Sequence, residues 1–188
     1  MKTVLIDQKY RQFIEEYAQF QTKGGFSNLK SKDLNKASRY DYQLGGVSCE
    51  VGWFLYRYGS IDPLKKNLDF KREHFDKTGK GDGGFDDSIT ANGKTRLIDI
   101  KSSHCESEDR IPFLNLVIPP REMHKNMIYV AAFSIGKDRK NIDKVVLQGW
   151  CINEDVHKKW PYDNIKWCVP VKELRPMEEL EKYLFDKE

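Results

Sequence analysis

Apolar residues recur at helical spacing near the start of the chain. Tyr10, Phe13, Ile14, Tyr17 and Phe20 share one face of residues 7–21, and Asp7 stands where it can cap the first turn. The spacing predicts a helix there, ended by Gly24-Gly25. Residues 22–45 read as irregular, with Gly45-Gly46 just ahead of the next element. A second helix is predicted over residues 47–58, where Val47, Val51, Phe54, Leu55 and Tyr58 form the apolar stripe, Ser48 is a candidate cap and Gly59 closes the element. Glu50 falls on the flank of that stripe, where a carboxylate is costly to bury unless something pairs with it.

Beyond residue 60 the period shortens toward two. Residues 67–76 alternate loosely and read as a strand, followed by a glycine-rich turn over residues 78–84. Residues 85–90 and 95–101 read as the arms of a hairpin around Asn92-Gly93, the strongest short-range hairpin signal. On the return arm Ile98 and Ile100 face one way, and Leu97, Asp99 and Lys101 the other. Residues 111–118 are apolar and extended, residues 121–126 suggest a helical turn, and residues 128–133 and 144–152 read as buried strands. The polar stretch between those two forms a hairpin or crossover end. A short helix is expected over residues 153–159, and a C-terminal one in residues 170–184, with Pro176 near its first turn. Helices followed by a hairpin-rich sheet and further helices make a mixed α+β (α/β) domain.

Composition narrows the class. Aromatics at 12% argue against disorder, although 32% of the 188 residues are charged. No apolar run approaches the roughly 18 residues of a membrane span, and the first ten residues return to charge too soon for a secretory leader. Cys49, Cys105, Cys151 and Cys168 form no CxxC pair and read as reduced thiols of a cytoplasmic protein rather than a disulfide frame or a structural zinc site. The net charge of +3 is unevenly spread: residues 1–80 carry +5 and residues 81–110 carry −3. The basic excess lies partly in residues 65–80 and partly in residues 23–39. There Lys23, Lys30, Lys32, Lys36 and Arg39 are interleaved with Phe26 beside Ser, Asn and Gly, a composition suited to a phosphate backbone or to a solvated loop.

The acidic middle carries the candidate chemistry. A tight hairpin brings the start of one strand beside the end of the other, so Asp86, Asp99 and Lys101 converge. Two adjacent carboxylates repel, and a divalent cation between them relieves the repulsion. Mg²⁺ prefers such oxygen ligands together with water and substrate phosphate. A nearby lysine then stabilises charge on the phosphoryl group or positions the nucleophile. Glu50 could add a ligand from the helix flank. Asp87 competes with Asp86 for the first position. A Ser/His or Cys105/His104 nucleophile is disfavoured because adjacent strand residues face opposite ways. The glycines of residues 79–84 lack the Gly-Lys-Ser/Thr of a phosphate loop.

The pattern Asp86-x12-Asp99-x-Lys101, with an upstream helical glutamate, resembles the PD-(D/E)XK nuclease superfamily. GDGGFDDSI over residues 81–89 and RLIDIKSS over residues 96–103 are similar to the form found in small restriction-like and phage-encoded endonucleases. The likeness extends through residues 127–133, 145–151 and 174–177. It implies one domain over residues 1–188: an N-terminal helix and basic loop in residues 1–44, then a restriction-endonuclease-like core in residues 45–180, a central mixed sheet flanked by helices. It also implies Mg²⁺-dependent cleavage of DNA, with Mn²⁺ as a substitute ion. The implied catalytic set is Asp86, Asp99, Lys101 and Glu50. Asp86, Asp99, Glu50 and Ile100 would lie at the metal, with Asp87 the alternative to Asp86. Lys23, Lys30, Lys32, Lys36, Arg39, Ser102 and Ser103 would meet nucleic acid, and a homodimer would cut both strands. Phe85, not proline, precedes Asp86. The competing classes are another nuclease habit (exonuclease, nickase or resolvase) and a non-cleaving DNA- or protein-binding module on the same fold.

Overall fold

A computed structural model describes residues 1–23, 39–78, 85–119, 122–124, 126–156, 158–159 and 167–185. Its centre is the strand β5 (Met127–Asp138), whose residues 127–136 are buried without a break. An apolar run with no polar alternation is what a strand covered on both faces requires. β5 pairs antiparallel with β6 (Asn141–Ile152) and parallel with β3 (Lys94–Cys105). β1 (Lys2–Leu5) extends the sheet beyond β6, and β2 (Asp87–Ala91) extends it beyond β3, giving the order β1-β6-β5-β3-β2. A second sheet holds β4 (Asn115–Ile118), β8 (Trp167–Pro170) and β7 (Lys158–Lys159), in that order. The fold is mixed α+β.

The two faces of the large sheet hold two cores. On one face Ile98, Ile100, Ile128 and Val130 pack against helices α1 (Arg11–Lys23) and α2 (Arg39–Tyr58), with Leu180 and Leu184 of α4 (Leu180–Phe185) closing the end. On the other, Tyr129, Ala131 and Phe133 pack against Leu116, Ile118 and Val169 of the small sheet. β1 and α1 thus belong to the same sheet and core as the later residues. Cys49, Cys105, Cys151 and Cys168 are free and buried. Burial lifts the Cys105 thiol above its ordinary value, which is no setting for a nucleophile. Among the described residues no helix is long and apolar enough to cross a membrane.

Three expectations are corrected. Residues 67–76 belong to helix α3 (Asp62–Thr78), not to a strand. The Ser60 hydroxyl accepts from Asp62 N (3.1 Å), Pro63 sits in the first turn, and Ile61, Leu64 and Leu68 are buried at helical spacing. Residues 39–45, read as irregular, are the first two turns of α2, and Ser48 caps nothing: its hydroxyl donates to Leu44 O at 2.8 Å inside the helix. Residues 153–159 hold one 3-10 turn (Asn153–Asp155) and the short β7 rather than a helix.

The glycines inside α2 let the helix lie close to the sheet. A Cβ on Gly52 would stand 2.7 Å from Val145 Cβ and Cγ1. Gly52→Ala is therefore expected to destabilise the fold by about 1–3 kcal/mol. The double variant with Val145→Ala should recover part of that loss in a denaturant-midpoint measurement.

Candidate metal and phosphate site

The hairpin that builds the site forms as its sequence requires. Asn92 and Gly93 adopt φ of +52° and +75°, the pair of left-handed residues a tight two-residue turn needs. The register then fixes Asp87 opposite Ile98. Asp86 lies just outside the ladder. Its N–H donates to Ile98 O (2.8 Å), and its Oδ2 accepts the Ile100 N–H (2.7 Å). The side chain thus stands in for strand backbone just before β2 begins. In an extended chain the N–H and C=O of one residue point to the same side, so the Ile100 carbonyl opens onto the edge where Asp86 sits.

Asp99 and Lys101 project from β3 toward the small sheet, beside buried Tyr129. The Lys101 ammonium contacts Asp99 Oδ2 at 2.6 Å and donates to Glu122 Oε2 at 2.6 Å. Asp99 is only 6% exposed. Burial pushes its carboxyl up to about 7; Lys101 opposes the rise, and the charges of Asp86 and Glu122 add to it. Burial alone would lower the Lys101 ammonium, but Asp99 and Glu122 outweigh it and hold it above the ordinary lysine value. Asp99 and Lys101 are thus paired, and Asp86 is bonded to the main chain of Ile100 between them.

Glu122 is the residue that sequence reasoning misses. Its segment is fastened by the buried Tyr129 hydroxyl, which donates to Glu122 O (2.8 Å) and accepts from His124 N (3.1 Å). An acid in a short link between two strands carries no spacing signal. Only the fastening of that link to β5 brings it to Lys101.

Glu50 approaches from the opposite face. One turn before it, a Cβ on Gly46 would stand 3.6 Å from Ser102 Oγ. Three residues after it, Trp53 Nε1 donates to Asp87 Oδ2. Glu50 thus lies over the part of β3 that ends at Ser102, is 8% exposed, and accepts from Gln21 Nε2 at 3.4 Å. Arg57, two turns further along α2, binds Glu181 at 2.6 Å.

Asp87 is turned away from Asp99 and Lys101. Its Oδ2 accepts from Trp53 Nε1 and the Tyr58 hydroxyl, each at 2.9 Å, and its Oδ1 from Ser88 N at 2.8 Å. Three donors on a carboxylate that is 6% exposed tie α2 to β2 through Asp87, so Asp86 is the aspartate left toward Asp99 and Lys101. Of the residues expected to meet nucleic acid, Ser102 and Ser103 are exposed on β3 just past Lys101, and exposed Lys23 and half-buried Arg39 end α1 and begin α2. Lys30, Lys32 and Lys36 lie outside the described residues.

The donor set suits a hard divalent cation. Asp86 and Asp99 bring carboxylates and Ile100 a main-chain carbonyl, all oxygens. The charge of Asp86 helps raise the Asp99 carboxyl, a repulsion that a cation would relieve. Among the described residues no three His, Cys, Asp or Glu side chains close into a cage. Mg²⁺ takes one or two carboxylates and completes its shell with water and phosphate oxygens. Comparison of the chain with protein-family models, with curated proteins and with solved structures returned no match.

Proposed function

We propose that the chain is a Mg²⁺-dependent nuclease hydrolysing phosphodiester bonds of DNA, of the restriction-type or phage-encoded PD-(D/E)XK kind. It would work in the cytoplasm of a bacterial or phage-infected cell, and as a homodimer where both strands are cut. The observation that carries this reading lies at the start of β2, where the Asp86 carboxylate accepts from the main chain of Ile100, the residue between the paired Asp99 and Lys101.

Each group has a role there. Asp86 and Asp99 would hold the ion, which when bound polarises a phosphate oxygen and makes a water more acidic. An ammonium has three N–H donors, and Lys101 uses two of them on Asp99 and Glu122. The third is left for a phosphate oxygen or the attacking water. Asp99 and Glu122 fix the ammonium's direction, and their charge keeps it protonated. Glu50 stands on the far side of the same edge as an auxiliary ligand. Ser102 and Ser103 continue the β3 surface along which a backbone would run.

The test is incubation of supercoiled plasmid with the purified chain in Mg²⁺, Mn²⁺ and EDTA. Nicking or linearisation with either ion and none in EDTA is expected. Intact plasmid with both ions, and intact single-stranded DNA, would overturn the reading. The second reading, a binding module that does not cut, rests on the closed Asp99–Lys101–Glu122 ion cluster, which already holds Lys101 twice. Gel retardation without cleavage is its signature.

A further inference from the structure

A cleft of about 380 Å³ opens beside Asp86, between α3 and the start of β2, lined among others by Tyr58, Asn67, Phe70, Phe85 and Asp86. Its walls are aromatic. Phe70 is 58% exposed and Tyr58 40% exposed, while Phe85 is half-buried. Two of the lining groups are fixed in place. The Tyr58 hydroxyl donates to Asp87 Oδ2 (2.9 Å), and its ring stacks on Phe54 with centroids 5.5 Å apart. The Asn67 amide donates to the Asp86 carbonyl at 3.3 Å. Phe70 lines this cleft together with half-buried Asp86, the carboxylate assigned to the ion.

We infer that this cleft is a subsite for one unpaired nucleobase, stacked on the exposed Phe70 ring beside the phosphate that an ion at Asp86 would hold. The inference rests on the nuclease reading for its choice of occupant. A base joined to a phosphate at Asp86 is the group that covalent connectivity delivers into the adjoining cleft. Aromatic faces accept any base by stacking, whereas a base still paired within a duplex presents no open face to them. The Asn67 amide and Ser88 at the cleft's edge add hydrogen-bonding groups of the kind that meet a base edge. The substrate class that follows is DNA with an unstacked nucleotide at the cut: single strands, frayed ends or flaps in preference to blunt duplex.

The test uses the full chain and oligonucleotides carrying 2-aminopurine, a purine whose fluorescence is quenched on stacking, in single-stranded and blunt duplex form. Wild type is expected to quench the probe in the single strand and to cut that strand faster than the duplex. Phe70→Ala should raise the single-strand Kd on the order of tenfold and release the quench, as loss of one stacking face implies. Phe70→Tyr should restore both, and Phe113→Ala, at an 85% exposed phenylalanine outside the cleft, should change neither. A quench and Kd that Phe70→Ala leaves unaltered would overturn the subsite, as would the absence of any quench with wild type. Quench lost in Phe70→Ala but no cleavage by wild type in either ion would keep the subsite and remove the nuclease reading.

Discussion

Lys101→Ala is expected to lower the cleavage rate in Mg²⁺ by on the order of 10²–10³-fold while leaving a folded protein. The ammonium is the cationic group joined to buried Asp99 and half-buried Glu122, and Ala supplies neither charge nor donor. The same substitution leaves Asp99 and Glu122 facing each other across the vacated space. Removing one partner of a buried ion pair costs about 3–5 kcal/mol, which a domain of ordinary stability survives. The pH dependence identifies the cause. The folded-state Asp99 carboxyl already lies near 7, above its unfolded value of 3.8, so folding takes up a proton between those values. Such a group favours the fold most below the unfolded value, and the benefit is lost as pH rises through the folded one. Without Lys101 the folded value rises further. The stability gap between Lys101→Ala and wild type should therefore widen from pH 5 to pH 8 in urea titrations. A constant gap would mean that the ion cluster is not what the substitution disturbs, and undiminished cleavage would remove Lys101 from the mechanism.

The parts of the fold legible in the sequence are those where one local signal dominates. The stripe from Tyr10 to Phe20 predicted α1, and Asn92-Gly93 predicted the hairpin that sets Asp86 against Ile100. The parts that were not legible are those where a tertiary neighbour overrides the local pattern. Gly45-Gly46 read as a break, yet both lie inside α2, where the helix is seated on the sheet beside Ser134 and Ser102. α3 was hidden because Leu64 and Leu68 are its main buried anchors while Phe70 points outward, giving its middle a false alternation. The same distinction runs through the candidate site. Asp99 and Lys101 share a strand and Asp86 sits one hairpin away, so period and turn place all three. Glu122 reaches Lys101 only through a link tied down by Tyr129, and no pattern within that link announces it.

Neighbouring aspartates with different partners should fail in different ways. Asp86→Ala is expected to remove metal-dependent cleavage with a modest effect on stability, because Asp86 is half-buried at the sheet edge. Its Oδ2 accepts the Ile100 N–H there. Asp87→Ala should do the reverse. It strands the Trp53 indole N–H and the Tyr58 hydroxyl, at about 1–3 kcal/mol for a buried donor left without an acceptor. A combined loss of roughly 3 kcal/mol corresponds to a fall in Tm of about 6–12 °C for a chain of this size. Burial raises the Asp87 carboxyl above its ordinary value, so ionisation there works against the fold, and the donors of Trp53, Tyr58 and Ser88 pull it back. Asp87→Asn keeps an acceptor for the indole and removes the buried charge, and should lose less stability than Asp87→Ala. Thermal melts and plasmid cleavage on the same four proteins, wild type included, decide the assignment. If Asp87→Asn lost cleavage at full stability while Asp86→Ala kept it, Asp87 would be the ligand, and the metal would have to lie on the α2 side of the sheet rather than beside Asp99 and Lys101.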